Sequence, residues 1–275
     1  MTTGVRMSDG PEISASAITT DVQQERAVLP VVNSLSVDDL LDVLAAGIRD
    51  FRTTPGYGLF FGGIYVVGGW LLILLLLYFK LPFLVYPLAA GFALIAPFVA
   101  CGFYVVSQYQ EAGDELNWGI VFGTVKSMFA RDLGWMALVT GFSLFIWMDI
   151  AALLSFGFMG FQLFSFSQLI ELIFTTPLGL LFLFVGNLAG AIIAFAVFSY
   201  SVISIPMLFH RDIDFVTAMI TSVRLVIRNP RTMALWCIII AGLMTVSLLS
   251  GLIGLIVTLP VLGHATWHLY RRGVA

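Results

Sequence analysis

Between residues 56 and 79 the chain runs for 24 residues without a charged side chain. A helix rising about 1.5 Å per residue crosses the roughly 30 Å hydrocarbon core of a bilayer in about 20 residues, so this run is long enough to span it. Residues 81–110 form a second such run, with Pro82, Pro87 and Pro97 inside; residues 133–158 are apolar except for Asp149; residues 178–209 and 232–263 are each 32 residues without a charge. Hydrophobic residues make up 60% of the chain and charged ones 11%, where a soluble domain carries roughly 25% charged residues. The fold class these runs predict is all-α, a polytopic transmembrane helix bundle forming one domain over residues 36–272.

Charge distribution sets the number of spans. If Ser250-Gly251 is a turn, the last run divides in two, and six helices are expected at about 56–79, 82–109, 133–158, 178–208, 231–249 and 252–270. On that model Lys80 is the one cation in the odd-numbered loops, and the other 12 of the 13 Lys and Arg residues fall on the side of the N terminus. Short loops rich in Lys and Arg stay in the cytoplasm, so both termini are expected there. A single long last helix would put Arg271 and Arg272 outside and spoil the pattern. Residues 1–35 are polar, rich in Ser and Thr, and hold no apolar run of signal-peptide length; a disordered cytoplasmic tail is expected, with the first span leading insertion.

An amphipathic stretch precedes each of the three expected hairpins. Val37, Leu40, Leu41, Leu44, Ile48 and Phe51 recur at helical spacing, as do Trp118, Val121, Phe122, Val125 and Phe129, and Phe215, Val216, Met219, Ile220, Val223 and Ile227. Such faces belong in the headgroup boundary or against the bundle. Ser36-Val37-Asp38-Asp39 reads as a capping box with Asp in place of Glu. Arg49 stands six residues before Pro55, Arg224 six before Pro230, Gly91 six before Pro97 and Gly254 six before Pro260, which suggests a repeated unit of interfacial helix plus hairpin.

Several segments resemble a family of bacterial predicted integral membrane proteins, domain of unknown function 2189. They are Gly47-Ile48-Arg49-Asp50-Phe51, Tyr57-Gly58-Leu59-Phe60-Phe61-Gly62, Tyr86-Pro87-Leu88-Ala89-Ala90-Gly91-Phe92, the stretch DFVTAMITSV from Asp214 to Val223, and Leu262-Gly263-His264-Ala265-Thr266-Trp267-His268. The resemblance runs from about Ser36 to Arg271 and implies a bacterial inner-membrane protein. Some relatives carry the label cytochrome c oxidase subunit I-like, but no haem–copper ligand pattern stands in this sequence.

Few residues inside the spans carry chemistry. Asp149 is the one acidic residue within a predicted helix, and intramembrane charges mark functional sites by default; Asn187 on the next helix is its expected partner. His264 and His268, four apart, share one helix face, as ligands of a metal or of one side of a haem would; His210 falls at the same end of the bundle. Arg49, Arg224, Arg228 and Arg231 lie where inner-leaflet headgroups are expected, as lipid contacts or as positive-inside anchors. Gly58-Leu59-Phe60-Phe61-Gly62 and Gly186-Asn187-Leu188-Ala189-Gly190 match the close-packing pattern of membrane helices. Cys101 and Cys237 lie deep in apolar runs and read as small fillers.

No phosphate loop, zinc-protease motif or Ser-His-Asp order is present, and no nucleophile–base pair is visible. No enzymatic activity and no cofactor are expected. The expected partners are membrane lipid, other membrane proteins or a second copy; no basic block points to nucleic acid. A non-enzymatic scaffold or accessory factor for membrane complexes is the leading expectation. A transporter or channel for a small solute is the first alternative, and a haem- or metal-binding redox protein the second.

Overall fold

The computed structural model describes residues 29–79, 85–129, 133–160 and 166–275; the rest of the expected N-terminal tail lies outside them. The described residues form α1 (Val37–Thr53), α2 (Pro55–Phe79), α3 (Val85–Ala112), α4 (Trp118–Phe129), α5 (Leu133–Met159), α6 (Phe166–Thr175), α7 (Pro177–Ser201), α8 (Ser204–His210), α9 (Phe215–Arg228), α10 (Pro230–Leu249) and α11 (Leu255–Gly273). Among the described residues the only β-pairing is an isolated bridge between Val32 and Val274. By length and composition, four stretches among the described residues suffice to cross a membrane: Pro55–Leu75, Leu133–Met159, Pro177–His210 and Pro230–Leu249.

Local chemistry starts and stops the helices as expected. The Ser36 hydroxyl accepts from the Asp39 N–H while the Asp39 carboxylate accepts from the Ser36 N–H, the reciprocal box anticipated at α1. Pro55 and Pro230 each open a helix, where a missing N–H costs nothing. The residues before them, Thr54 and Asn229, adopt nearly the same backbone angles, φ −129°, ψ 57° and φ −125°, ψ 53°. The repeat seen in the Arg–Pro spacing is therefore a shared corner between an interfacial helix and the helix that follows. The second parallel is looser, because Gly91 lies inside α3 whereas Gly254 precedes α11.

The 232–263 run does divide. α10 stops at Leu249, Gly251 and Leu252 take left-handed φ values of 68° and 70°, and α11 begins at Leu255. α10 and α11 run antiparallel: the Ser247 hydroxyl bonds Thr258 near the turn, while Asn33 binds both Asn229 and Arg272 at the far ends. Two features depart from expectation. The stretch 178–208 breaks at residues 202–203 into α7 and α8, and the loop before it contains α6.

Buried residues concentrate at one end of the bundle, where α2, α5 and α10 begin and α3, α7 and α11 end: Phe61, Tyr65, Phe103, Leu133, Met136, Met233, Trp236, Trp267 and Tyr270 are among them. Away from that packed end the surface is a sleeve of large apolar side chains, including Leu77, Leu153, Phe184 and Leu249. Of the nine Lys and Arg residues within the described segments, eight stand on α1, α4, α9, the start of α10 or the end of α11, and Arg211 caps α8.

α11 is the centre of the packing and lies against α1, α2 and α3. Two glycines let its backbone in: a Cβ on Gly47 of α1 would stand 2.6 Å from the Val261 carbonyl, and one on Gly62 of α2 would meet Ile256 at 3.0 Å. α4 packs on α3, and α9 on α7 and α8.

Two expectations are corrected at this end. Residues 31–35, read as the end of a disordered tail, are docked: Asn33 N–H donates to Gly273 O, Ala275 N–H to Val31 O, and Leu35 N–H to the buried Asn229 Oδ1. Val32 and Leu35 are apolar enough to enter the core. The apolar stripe of α1 is also not one face: Leu40, Val43 and Gly47 are buried against the bundle, whereas Val37, Leu41 and Ile48 stay exposed.

Candidate functional site

The packing of α1 and α3 on α11 brings four polar side chains into one chain of hydrogen bonds. Asp50 is held on the buried face of α1, one helical turn beyond Gly47. Its Oδ2 lies 2.7 Å from the Ser107 hydroxyl of α3 and 2.7 Å from Nε2 of His268 on α11. The Ser107 oxygen is in turn 2.7 Å from Nδ1 of His264. An ionised carboxylate only accepts, so Ser107 donates its single proton to Asp50, and His264 donates from Nδ1 to Ser107. His268 donates from Nε2. The order is His268, Asp50, Ser107, His264.

Asp50, Ser107 and His264 are buried, and the His268 side chain remains 21% exposed. Burial pushes the Asp50 carboxyl upward, but the hydrogen bonds from His268 and Ser107 and the nearby imidazoles outweigh it and hold the group below the usual carboxylate range. The arrangement leaves Nε2 of His264 buried without a partner among the described residues, a polar atom whose burial costs about 1–3 kcal/mol.

A second set of bonds continues toward the C terminus. Gln110 donates to the Thr54 hydroxyl at 2.7 Å. Glu111 accepts from Trp267 Nε1 at 3.1 Å and pairs with Arg271 at 3.0 Å. Arg272 pairs with Asp39 at 2.7 Å and Asp42 at 2.9 Å. α11 is thus fastened to α1 and α3 by charge-assisted bonds at the packed end.

Chemically, the four-residue chain does not form a nucleophilic triad. In that arrangement the imidazole sits between hydroxyl and carboxylate and takes the hydroxyl proton; here the hydroxyl sits between and gives its proton to the carboxylate. Ser107 is also 0% exposed, with no room for a substrate at its oxygen. The Ser107–His264 contact itself was not anticipated from the sequence. The partners are 157 residues apart, and neither a serine nor a histidine alone announces such a contact.

The three histidines do not converge. His264 and His268 share a face but are taken up by Ser107 and Asp50, and His210 Nδ1 bonds the Tyr270 hydroxyl at 2.8 Å. No set of three His, Cys, Asp or Glu side chains suited to a metal ion is found among the described residues.

Asp149 and Asn187 are not joined. Asn187 donates to the Leu183 carbonyl of its own helix at 2.7 Å. Trp147, Ala151 and Leu154 of α5 line a cleft shared with α7, and Asp149 stands about 200° around the helix from Trp147, on the exposed far side. Gly190 of α7 packs under the Trp147 ring, where its Cβ would be 3.1 Å away. Gly190 therefore packs helices within the chain, whereas a Cβ on Gly186 would meet nothing within 4 Å.

Arg49, Arg224, Arg228 and Arg231 are all exposed, and their guanidinium groups make no hydrogen bond or ion pair among the described residues. Arg271 and Arg272 contrast with them in being tied to carboxylates.

Residues 85–210, from α3 to α8, match the model of a family described as predicted integral membrane protein (DUF2189). The match agrees with the resemblance read from the sequence, over a shorter stretch. No curated protein and no solved structure matches the chain. It is an integral membrane protein with several apolar helices.

Proposed function

We propose that this chain is a non-enzymatic scaffold of a bacterial inner membrane that holds another membrane-spanning chain, or a second copy of itself, against α5 and α7. The observation that carries the reading is the bareness of those two helices. In α5 the buried residues are Leu133 and Met136, both in its first turn, and in α7 the buried residue is Gly179. Leu138, Phe142, Phe145, Leu153, Phe184, Leu188 and Ile192 are all exposed. Lipid tails solvate such side chains well, so apolarity alone does not recruit a partner; close packing does. The α5–α7 cleft supplies a packing surface, with Gly186 and Ala194 beside Ser155 and Asn187.

The topology belongs to the same proposal. α2, α3, α5, α7, α10 and α11 act as six spans in three hairpins, introduced by α1, α4 and α9 at the cytoplasmic surface, with both termini on that side. The alternation of helix starts and ends at the packed end, and the Lys and Arg residues gathered there, support it. Each introducing helix packs on the last helix of the preceding unit, α4 on α3 and α9 on α7, and α1 packs on α11, so the three units close on one another. The burial of Ser107 supports the non-enzymatic reading.

Native mass spectrometry of the protein drawn gently from its own membranes tests the proposal. A stoichiometric second chain or a defined homo-oligomer is expected, with photo-crosslinking probes at Leu138 or Phe184 capturing it. A lone monomer whose probes label lipid alone overturns it. A second reading, passage of a small apolar solute, draws on a cavity of about 350 Å³ lined by Tyr65, Phe198, Ser201, Met244 and Thr266; solute flux into vesicles that rises in Met244→Ala would favour it.

A further inference from the structure

A groove of about 470 Å³ opens between α1 and α11 at the packed end, lined by Asp42, Ala45, Arg49, His268, Arg271 and Arg272 among others. Three guanidinium groups face it against one carboxylate. Asp42 is already engaged by Arg272 Nη1, which it shares with Asp39, and Arg271 reaches Glu111 through Nε and Nη2. That leaves Nη1 of Arg271, Nε and Nη2 of Arg272, and the whole guanidinium of Arg49 as donors without a bond among the described residues. The small side chain of Ala45 keeps the space beside Arg49 open.

The helix that carries Arg49 also carries the exposed apolar stripe Val37, Leu41 and Ile48. Ala45, which lines the groove, follows Leu41 of the stripe by four residues, about 40° around α1, so the stripe borders the groove. A cationic groove beside an uncovered apolar stripe matches an amphiphile with an anionic head. The equivalent corner repeats the pattern: Arg224 and Arg228 on α9 are exposed beside exposed Val216, Ile220 and Ile227, and a second pocket joins Arg224 to Val216 and Ile220.

We propose that the α1–α11 groove is a phosphate-binding site, with Arg49 as its main ligand and the free donors of Arg271 and Arg272 completing it, and that the phosphate it takes is the headgroup of an anionic membrane lipid whose chains lie along Val37, Leu41 and Ile48. Guanidinium matches phosphate geometry through paired N–H donors, and headgroup contacts at an inner-leaflet surface gain from its anionic character. The site rests on the proposed topology, which sets the packed end at the inner leaflet, but on no partner of α5 and α7, so absence of a partner leaves it standing.

The test uses the full chain in a neutral detergent, titrated with phosphatidylglycerol, with phosphatidylcholine, and with glycerol phosphate as a headgroup without chains. Native mass spectrometry counts bound lipid, and thermal unfolding reports stabilisation. A single phosphatidylglycerol adduct that outcompetes phosphatidylcholine is expected, weakened about tenfold in Arg49→Ala through loss of charge-assisted hydrogen bonds. It should be largely kept in Arg49→Lys and unchanged in Arg52→Ala, an exposed cation of the same helix outside the groove. Equal stabilisation by glycerol phosphate, lost in Arg49→Ala, keeps the phosphate site and assigns it to a soluble phosphoester. Adducts indifferent to headgroup charge, or unaffected by Arg49→Ala, overturn the proposal.

Discussion

His268 on α11 donates from Nε2 to the Asp50 carboxylate of α1 across 2.7 Å and 218 residues of sequence. The bond joins an interfacial helix near the start of the chain to the last helix, and it is one of two charge-assisted bonds that keep a buried carboxylate ionised.

Removing that carboxylate should loosen the packed end. Asp50→Ala leaves the Ser107 hydroxyl and His268 Nε2 without their acceptor, and a loss of about 2–4 kcal/mol is expected from two charge-assisted bonds. Thermal unfolding in detergent measures it. A melting temperature within a degree of the parent would show that the chain of bonds does not stabilise the fold.

The same carboxyl carries a pH signature. Its folded pKa lies below the ordinary value of 3.8, so the folded state binds a proton less readily than the unfolded one. The stabilisation is complete above pH 3.8 and falls away as pH drops through the lower folded value. The stability gap between parent and Asp50→Asn should therefore be constant near neutrality and shrink below pH 3.8. A gap that persists unchanged in acid would assign the Asp50→Asn effect to packing.

Asn229 ties three segments together. It accepts from Leu35 N–H at 2.7 Å and donates to Asn33 O at 2.9 Å and Leu225 O at 3.1 Å. Asn229→Ala should cost about 2–3 kcal/mol and release residues 31–35, raising their amide hydrogen exchange while α7 stays as protected as before. Unchanged exchange at Asn33 and Leu35 would mean that the Val32–Val274 bridge suffices to hold them.

Gly47 and Gly63 offer a paired test of the close approach of α11. A Cβ at Gly47 meets backbone at 2.6 Å and 2.8 Å, whereas nothing lies within 4 Å of one at Gly63. Gly47→Ala should destabilise by about 1–3 kcal/mol through forced repacking, and Gly63→Ala should be neutral or slightly stabilising through helix propensity. Detergent melting curves of the two variants decide it, and equal melting temperatures would sink the argument.

Asp149→Asn is expected to leave stability unchanged within about 0.5 kcal/mol, since its side chain is exposed and without a bonding partner among the described residues. A clear loss would place a partner on it from outside the chain.

Apart from α6 and the break between α7 and α8, the sequence made the helices legible because each is determined over a few neighbouring residues: uncharged runs for the long helices, the Ser36–Asp39 box for α1, Pro55 and Pro230 for two starts. The break at Ser250-Gly251 was legible too, through the cost of placing Arg271 and Arg272 on the wrong side of a bilayer. Arg49 and Arg224 could be picked out because the Arg–Pro spacing is itself local. Asp149 drew attention for the same reason, as a charge in an apolar run, but its rotation about α5 sets it away from α7 and Asn187 satisfied itself on Leu183.

Helix position, helix type and the apolar surface that demands a membrane follow from the sequence by itself, because they depend on hydropathy and backbone chemistry over one or two turns. Tertiary structure alone decided that Asp50, Ser107, His264 and His268 meet. Hydrogen bonding acts over about 3 Å and is indifferent to chain separation; these four residues reach one another because Gly47 and Gly62 let α11 approach α1 and α2. No spacing along the chain encodes that approach.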